Sequence, residues 1–176
     1  MMISVMWPNV DAIPPTARCR LEPLKTTHAR VMVDVLADPG LHEFTGGSPP
    51  TLDQLQRRYD VQSVDHSADG QQWWCNWIVT VQGEGCPVGY VQATVAPFGG
   101  VLQADVAWVI RLADQGRGLA TEAARGMIGW LERHGVVRYA AYIHPEHAAS
   151  AQIASRLGMH RTAATPDGEI RWESAG

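Results

Sequence analysis

The chain has 176 residues, 45% of them hydrophobic and 18% charged, and 14 basic against 18 acidic side chains leave a formal charge of −4. This length suits one domain with a proper core, and the composition excludes disorder, collagen and coiled coil. The acidic balance speaks against a nucleic-acid partner, which would require a basic surface. Cys19, Cys75 and Cys86 form no C-x-x-C pair, so reduced thiols are expected rather than a disulfide scaffold or zinc site. The first fifteen residues carry neither a basic region nor a long apolar run. No stretch approaches the ~20 apolar residues that span a bilayer. A cytoplasmic protein with no membrane partner is expected.

Residues 1–17 read as an irregular N-terminal arm, and 18–176 as a single domain. Arg18 to Leu24 alternates as a first strand. Thr26 and Thr27 are expected to cap a helix reaching about Ala37, with Val31, Met32, Val35 and Leu36 inward. Asp38-Pro39-Gly40 stops it, and Phe44 to Pro50 reads as a loop. Thr51 followed by Gln54 matches a capping box for a second helix through Leu52, Leu55 and Tyr59. After a polar loop, Asp65 to Gly70, the aromatic and β-branched run Trp73 to Val81 predicts a strand. The segment Gly83 to Pro87 turns it into Val88 to Ala96, a hairpin, and Pro97 to Gly100 turns again into Leu102 to Ile110. A strand, two helices and an antiparallel meander make an α+β opening.

The next strand-to-helix turn is Gln115-Gly116-Arg117-Gly118-Leu119-Ala120. The helix behind it sets Ala120, Ala123, Ala124, Met127, Ile128 and Leu131 three and four apart, and Gly135 ends it. Val136 to Ile143 is a further strand and His147 to Leu157 a further helix, closed by Gly158. Met159 to Thr162 and Ile170 to Glu173 can pair around Pro166-Asp167-Gly168.

A helix N-terminus offers unpaired N–H groups and partial positive charge, so an anion placed there meets several donors at once. Gly116, Gly118 and Ala120 leave room for a diphosphate, Arg117 carries a full charge and Thr121 a hydroxyl. A glycine turn made only for chain reversal is the plainer alternative. The turn is not a Walker loop, since no Lys-Ser/Thr follows, nor a dinucleotide fingerprint, since the third glycine is missing. Among seven histidines, His144 and His147 flank Pro145-Glu146 without further ligands, so no metal is expected.

Gln115-x-x-Gly118-x-Ala120 resembles the acyl-CoA signature of the GNAT superfamily of N-acetyltransferases. Other blocks follow in the family's order: Arg20-Leu21-Glu22-Pro23-Leu24, Pro87-Val88-Gly89-Tyr90, Gly116 to Ala123, His144 to Ser150, and Leu157-Gly158-Met159. They are similar to the branch that acetylates ribosomal-protein N-termini. The resemblance implies an α+β fold: a mixed, twisted sheet with helices on both faces, splayed between the fourth and fifth strands. It implies acetyl-CoA as co-substrate, with pantetheine amides pairing near Trp108, Val109 and Ile110. The pyrophosphate would sit on Gln115, Gly116, Arg117, Gly118, Leu119, Ala120 and Thr121.

The same resemblance makes Asp105 a candidate general base, against the alternative of a solvated strand residue. A backbone N–H near Val109 would hold the oxyanion. Ser150 would protonate the leaving thiolate, its alternative being an ordinary first-turn serine. His147 stands at an Asn position, as a cofactor donor or a helix cap. The family's usual acid, Tyr, falls at Ala154. Trp73, Trp74 and Trp77 read as core, or as one wall of an acceptor pocket, and the Phe44 to Pro50 loop lies where relatives shape that pocket. The implied reaction is transfer of acetyl to a primary amine of a protein N-terminus or small molecule. An aminoglycoside-type N-acetyltransferase and a non-catalytic acyl-CoA sensor are the alternatives, and a homodimer stays possible.

Overall fold

The computed structural model describes residues 7–175, so the first six residues of the arm and Gly176 lie outside it. Seven strands form one sheet: β1 Cys19–Pro23, β2 Trp73–Val81, β3 Pro87–Phe98, β4 Val101–Ile110, β5 Val136–Ile143, β6 Met159–Ala164 and β7 Ile170–Ser174. Their spatial order is β1-β2-β3-β4-β5-β7-β6. Four helices complete the fold: α1 Ala29–Val35, α2 Leu52–Gln62, α3 Leu119–Arg133 and α4 Ala148–Arg156. β1 to β4 are antiparallel neighbours, β4 and β5 run parallel, and β7 inserts antiparallel between β5 and the edge strand β6.

Strand alternation divides the core in two. Odd residues of β2 and β3 (Trp73, Cys75, Trp77; Val91, Ala93, Val95) share one cluster with Ala104, Val106 and the inner face of α3, namely Leu119, Ala123, Met127 and Leu131. Ile78 packs on the opposite face, against Met32 and Val35 of α1 and Leu55 and Tyr59 of α2. Helices therefore cover both faces. The hydrophobic periodicity of α3 places its apolar stripe inward, as expected. Trp73 and Trp77 are core residues, their rings edged by Trp130 at 5.2 and 5.1 Å between centroids, while Trp74 is half-buried.

The α1 region departs from the sequence reading. Thr26 and Thr27 belong to a short 3-10 turn, Thr26–His28, and α1 begins only at Ala29. The expected threonine cap is absent because the Thr26 hydroxyl donates to Asp60 on α2 at 2.7 Å, while His28 Nδ1 accepts from the Lys25 N–H. Val31 is exposed, and Ala29 takes its place inward. The Thr51–Gln54 capping box is present as read. The β3 strand also runs through Pro97 and Phe98, which the sequence reading gave to a turn.

At one point β3 and β4 approach very closely. A Cβ on Gly89 would lie 1.9 Å from the Val109 carbonyl oxygen, so only glycine fits, and the backbone of β4 leans onto β3 in the stretch that has already left β5.

Candidate functional site

β4 and β5 pair over only a short stretch, the rungs Leu102–Val136, Gln103–Arg138, Ala104–Tyr139 and Asp105–Ala140. Beyond Asp105 the two strands separate, and the β5-facing edge of residues 106–110 has no strand partner. Open sheets take ligands where strands part. The separation opens into a cleft of about 710 Å³ whose walls include Trp108, Val109, Ile110, Tyr142, His147 and Ser150, a size usual for small-molecule sites.

The floor of the cleft is the turn into α3. Gly116 and Gly118 both adopt φ +77°, a left-handed conformation that costs other residues roughly 1–2 kcal/mol. The first helical bond runs from Glu122 N–H to the Gly118 carbonyl. Residues 116 to 121 thus present six successive N–H groups with no backbone acceptor among the described residues. Leu119, Ala120 and Thr121 line the cleft, and the buried Thr121 hydroxyl has no partner. A diphosphate fits this cradle: it supplies the acceptors that these donors lack. The amide side chain of Gln115 donates to the Ile110 carbonyl at 2.9 Å, tying the end of β4 to the turn.

Arg117 does not turn its guanidinium into the cleft. It donates to Asp114 at 2.6 Å and Glu84 at 2.9 Å, so its charge is neutralised and the residue offers the turn its backbone N–H. Asp114 is 5% exposed; burial would raise its carboxyl, but bonds from Arg111 and Arg117 hold it below the ordinary range. Arg18 instead brings a guanidinium to Gly118, its Nη2 lying 3.4 Å from a Cβ built there. Arg18 also donates to the Arg117 carbonyl and pairs with Glu122 at 2.8 Å. Sequence reasoning missed it, because nothing local to residue 18 points to a turn a hundred residues on. Arg156, a cation that also lines the cleft, was missed for the same reason.

Ser150 and His147 meet on the cleft wall at the start of α4. His147 is the N-cap of α4, its Nδ1 accepting from the Ser150 N–H at 3.4 Å, and its Nε2 lies 3.2 Å from the Ser150 hydroxyl. With Nδ1 as acceptor, the neutral ring carries its hydrogen on Nε2, which donates to Ser150 Oγ and leaves the serine proton free to point elsewhere. Burial lowers the His147 pKa, helped by His144 and opposed by Glu43. From the loop after α1, Phe44 stacks on His147 at 4.5 Å and tilts against His144 at 5.3 Å. Phe44 is thus a wall of the cleft, whereas Gly46 to Pro50 do not line it. Ala154, at the family's tyrosine position, is fully buried.

Because the folded state holds fewer protons on His147 than the unfolded chain, acid costs stability. The loss is expected as pH falls from the ordinary value of 6.5 to the lowered one, and to level off below. His147→Asn keeps a good cap and should flatten that part of the slope. Denaturant midpoints across pH for both proteins check this, and parallel slopes would count against it.

Asp105 sits on the last rung before the split, opposite Thr94 and Ala140 and on the face away from α3. The carboxyl is outside the cleft wall, which starts at Val106, and the residue is exposed. Its pKa is nevertheless raised, by desolvation first, with Arg171 and a bond to Gln103 opposing. Next to it lie Tyr142 and Arg171: Arg171 donates to the Tyr142 hydroxyl at 3.1 Å and to Glu173 at 2.7 Å. Sequence reasoning missed this trio, which comes from β5 and β7 and meets only through the β5–β7 pairing.

Among the described residues no three His, Cys, Asp or Glu side chains gather as a metal site, all three cysteines are free, and no helix is long and apolar enough to cross a membrane.

The sheet thus parts over a helix N-terminus lined with free N–H donors. A family profile described as Acetyltransferase (GNAT) domain matches residues 18–160, and the chain belongs to this family. Solved structures carry the same fold. The RimL ribosomal L7/L12 alpha-N-protein acetyltransferase in complex with coenzyme A superposes with TM-score 0.78 at 14% identity, covering 92% of this chain and 96% of that one. The aminoglycoside acetyltransferase AAC(6')-Ib in complex with coenzyme A gives 0.73 at 19%, covering 89% and 94%. An acetyltransferase from Agrobacterium tumefaciens str. C58 gives 0.72 at 19%, covering 98% of each chain. No match was found among curated proteins.

Proposed function

We propose that this chain transfers an acetyl group from acetyl-CoA to a primary amine in a ternary complex. One observation carries the reading: the split beyond Asp105 and the donor cradle of residues 116–121 open into a single cleft. Gln115 and the N–H groups of Gly116 to Thr121 would hold the pyrophosphate, and the free edge at Trp108, Val109 and Ile110 would take the arm amides. When bound, acetyl-CoA supplies an acyl group activated as a thioester. The chain's own residues then orient and move protons. Asp105 accepts the amine proton through water, and the Ser150 hydroxyl, held by His147, hydrogen-bonds or protonates the departing sulfur. The demand on that acid is small, since a thiol is itself fairly acidic.

The test has two arms. Acetyl-CoA at about 100 times its dissociation constant should stabilise the protein by roughly 2.7 kcal/mol, a rise in melting temperature of roughly 5–11 °C. Thiol release with an amine panel should then report turnover. No thermal shift at millimolar acetyl-CoA would remove the acyl-CoA reading. A shift with no turnover on any amine would make the chain a sensor.

A further inference from the structure

The cleft has an annexe. A second cavity of about 170 Å³ lies between α2 and the sheet, its polar wall formed by Arg58, Tyr59, Gln62, Asn76, Tyr90 and Gln92. Tyr90 and Gln92 line both cavities, so the two adjoin. Strand register shows how. Asn76 stands opposite Gln92 and Gln92 opposite Ala107, so these three form one row across β2, β3 and β4 on a single face. Ala107 lies two residues past Asp105, the last rung joined to β5. The row therefore leads from the annexe to the mouth of the split, where the acyl group would be presented.

The annexe's chemistry is one-sided. Arg58 is its cation, no carboxylate lines it, and Arg58 has no ion pair among the described residues, unlike its neighbour Arg57, which pairs with Asp53. No side-chain hydrogen bond among the described residues engages the polar ends of Tyr59, Gln62, Asn76, Tyr90 or Gln92. Burial pushes both phenols up, so at neutral pH they remain O–H donors. With no internal partners, the phenols and amides balance donors against acceptors, and the exposed guanidinium leaves its donors to water or a ligand. An oxyanion satisfies them, and a carboxylate matches a guanidinium in both charge and fork geometry. The volume holds roughly half a dozen waters. That accommodates a carboxylate and the few atoms linking it to an amine, but neither a folded segment nor a multi-ring polycation.

Resting on the acyl-transfer reading above, we propose that the acceptor is a small amine bearing a carboxylate, held by Arg58 in the annexe with its nitrogen directed along Gln92 toward Ala107. The nitrogen lone pair forms the bond to the acyl carbon, and the carbon–sulfur bond breaks with its electrons going to sulfur. Nitrogen loses one proton and sulfur gains one, giving an amide and a free thiol.

Three matched sets test this with acetyl-CoA: the common amino acids, their carboxamides and their decarboxylated amines, alongside kanamycin and a short peptide with a free N-terminus. The expected result is a preferred acid whose kcat/KM exceeds that of its carboxamide by at least about tenfold. Arg58→Gln, on the exposed side of α2, should lower kcat/KM for that acid roughly 10–100-fold, mainly through KM. It should change the carboxamide's constants far less and leave the acetyl-CoA thermal shift unchanged, and Arg58→Lys should retain part of the preference. Preference for the carboxamides, kanamycin or the peptide would overturn the proposal, as would an Arg58→Gln effect equal on acid and carboxamide. Either result leaves acyl transfer standing. Calorimetric titration of the amino acids into the protein alone reads the annexe without turnover. Binding lost in Arg58→Gln supports the carboxylate site even where acetyl-CoA fails to bind; no binding, or binding indifferent to Arg58, overturns it.

Discussion

Gly118→Asp is expected to lower CoA affinity by roughly 10²–10³-fold while the protein still folds. Gly118 is the N-cap of α3 and lies within the run of free N–H groups, residues 116–121. A carboxylate there would meet the diphosphate's charges at contact range, taken as about 4 Å. Each charge pair at that distance costs about 1 kcal/mol in water and about 4 kcal/mol at the effective dielectric of a protein surface, which spans the stated range. The side chain itself meets little, since only Arg18 Nη2 comes within 4 Å of a Cβ there. Folding pays roughly 1–2 kcal/mol for the left-handed backbone, a fall of a few degrees in melting temperature. Calorimetric titration with CoA and a thermal melt separate the two effects. A well-folded variant with unchanged affinity would move the phosphate site elsewhere. Arg117→Ala should be milder, because its guanidinium is already neutralised by Asp114 and Glu84.

Asp105→Asn is expected to slow turnover by roughly 10²–10⁴-fold, the usual worth of a general base, with cofactor affinity nearly unchanged. Desolvation raises this carboxyl, so the folded state holds more protons on it than the unfolded chain above the ordinary carboxylate value. The sign follows: stability contributed by the neutral form is lost as pH rises through the raised pKa. At neutral pH the charged Asp105 therefore works against the fold, and the Asn variant should be as stable as the parent or slightly more so. A charge kept at the expense of stability is the pattern expected of a working group. The rate for the parent should fall as pH drops through that same raised pKa. Unaltered turnover in the variant would return Asp105 to an ordinary solvated strand position.

What could be read from the sequence follows from locality. The stripe of α3, the Thr51–Gln54 cap and the run of strands are short-range patterns, and each appears in the fold where it was expected. The glycine turn was legible because two left-handed residues before a helix need glycine at both positions. Other features depend on chain segments far apart. Nothing in residues 159–174 shows that β7, not β6, lies beside β5, yet that order brings Arg171 and Tyr142 to Asp105. The Arg117 side chain looked like a phosphate ligand because Glu84, thirty-three residues earlier, was not visible beside it. Thr26 looked like a cap because Asp60, its actual partner, sits on another helix. The annexe escaped notice because its polar groups are scattered over α2, β2 and β3 and converge only through register.

The arm ahead of β1 bears on where this domain begins. The family match starts at residue 18, but Trp7 stacks on Trp73 at 5.7 Å, Val10 and Ile13 are buried in the main cluster, and Trp77 Nε1 donates to the Asp11 carbonyl. Thr16 and the Arg18 N–H both donate to Glu122 at 2.6 Å, fastening the arm to the first turn of α3. A chain cut at the similarity boundary would bare the indole face of Trp73 as an apolar patch of the kind that drives aggregation. It would also remove the Thr16 hydroxyl's bond to Glu122 in the first turn of α3. The packed unit therefore reaches ahead of the residues that the family profile matches, and the added segment acts as a splint for the first turn of α3.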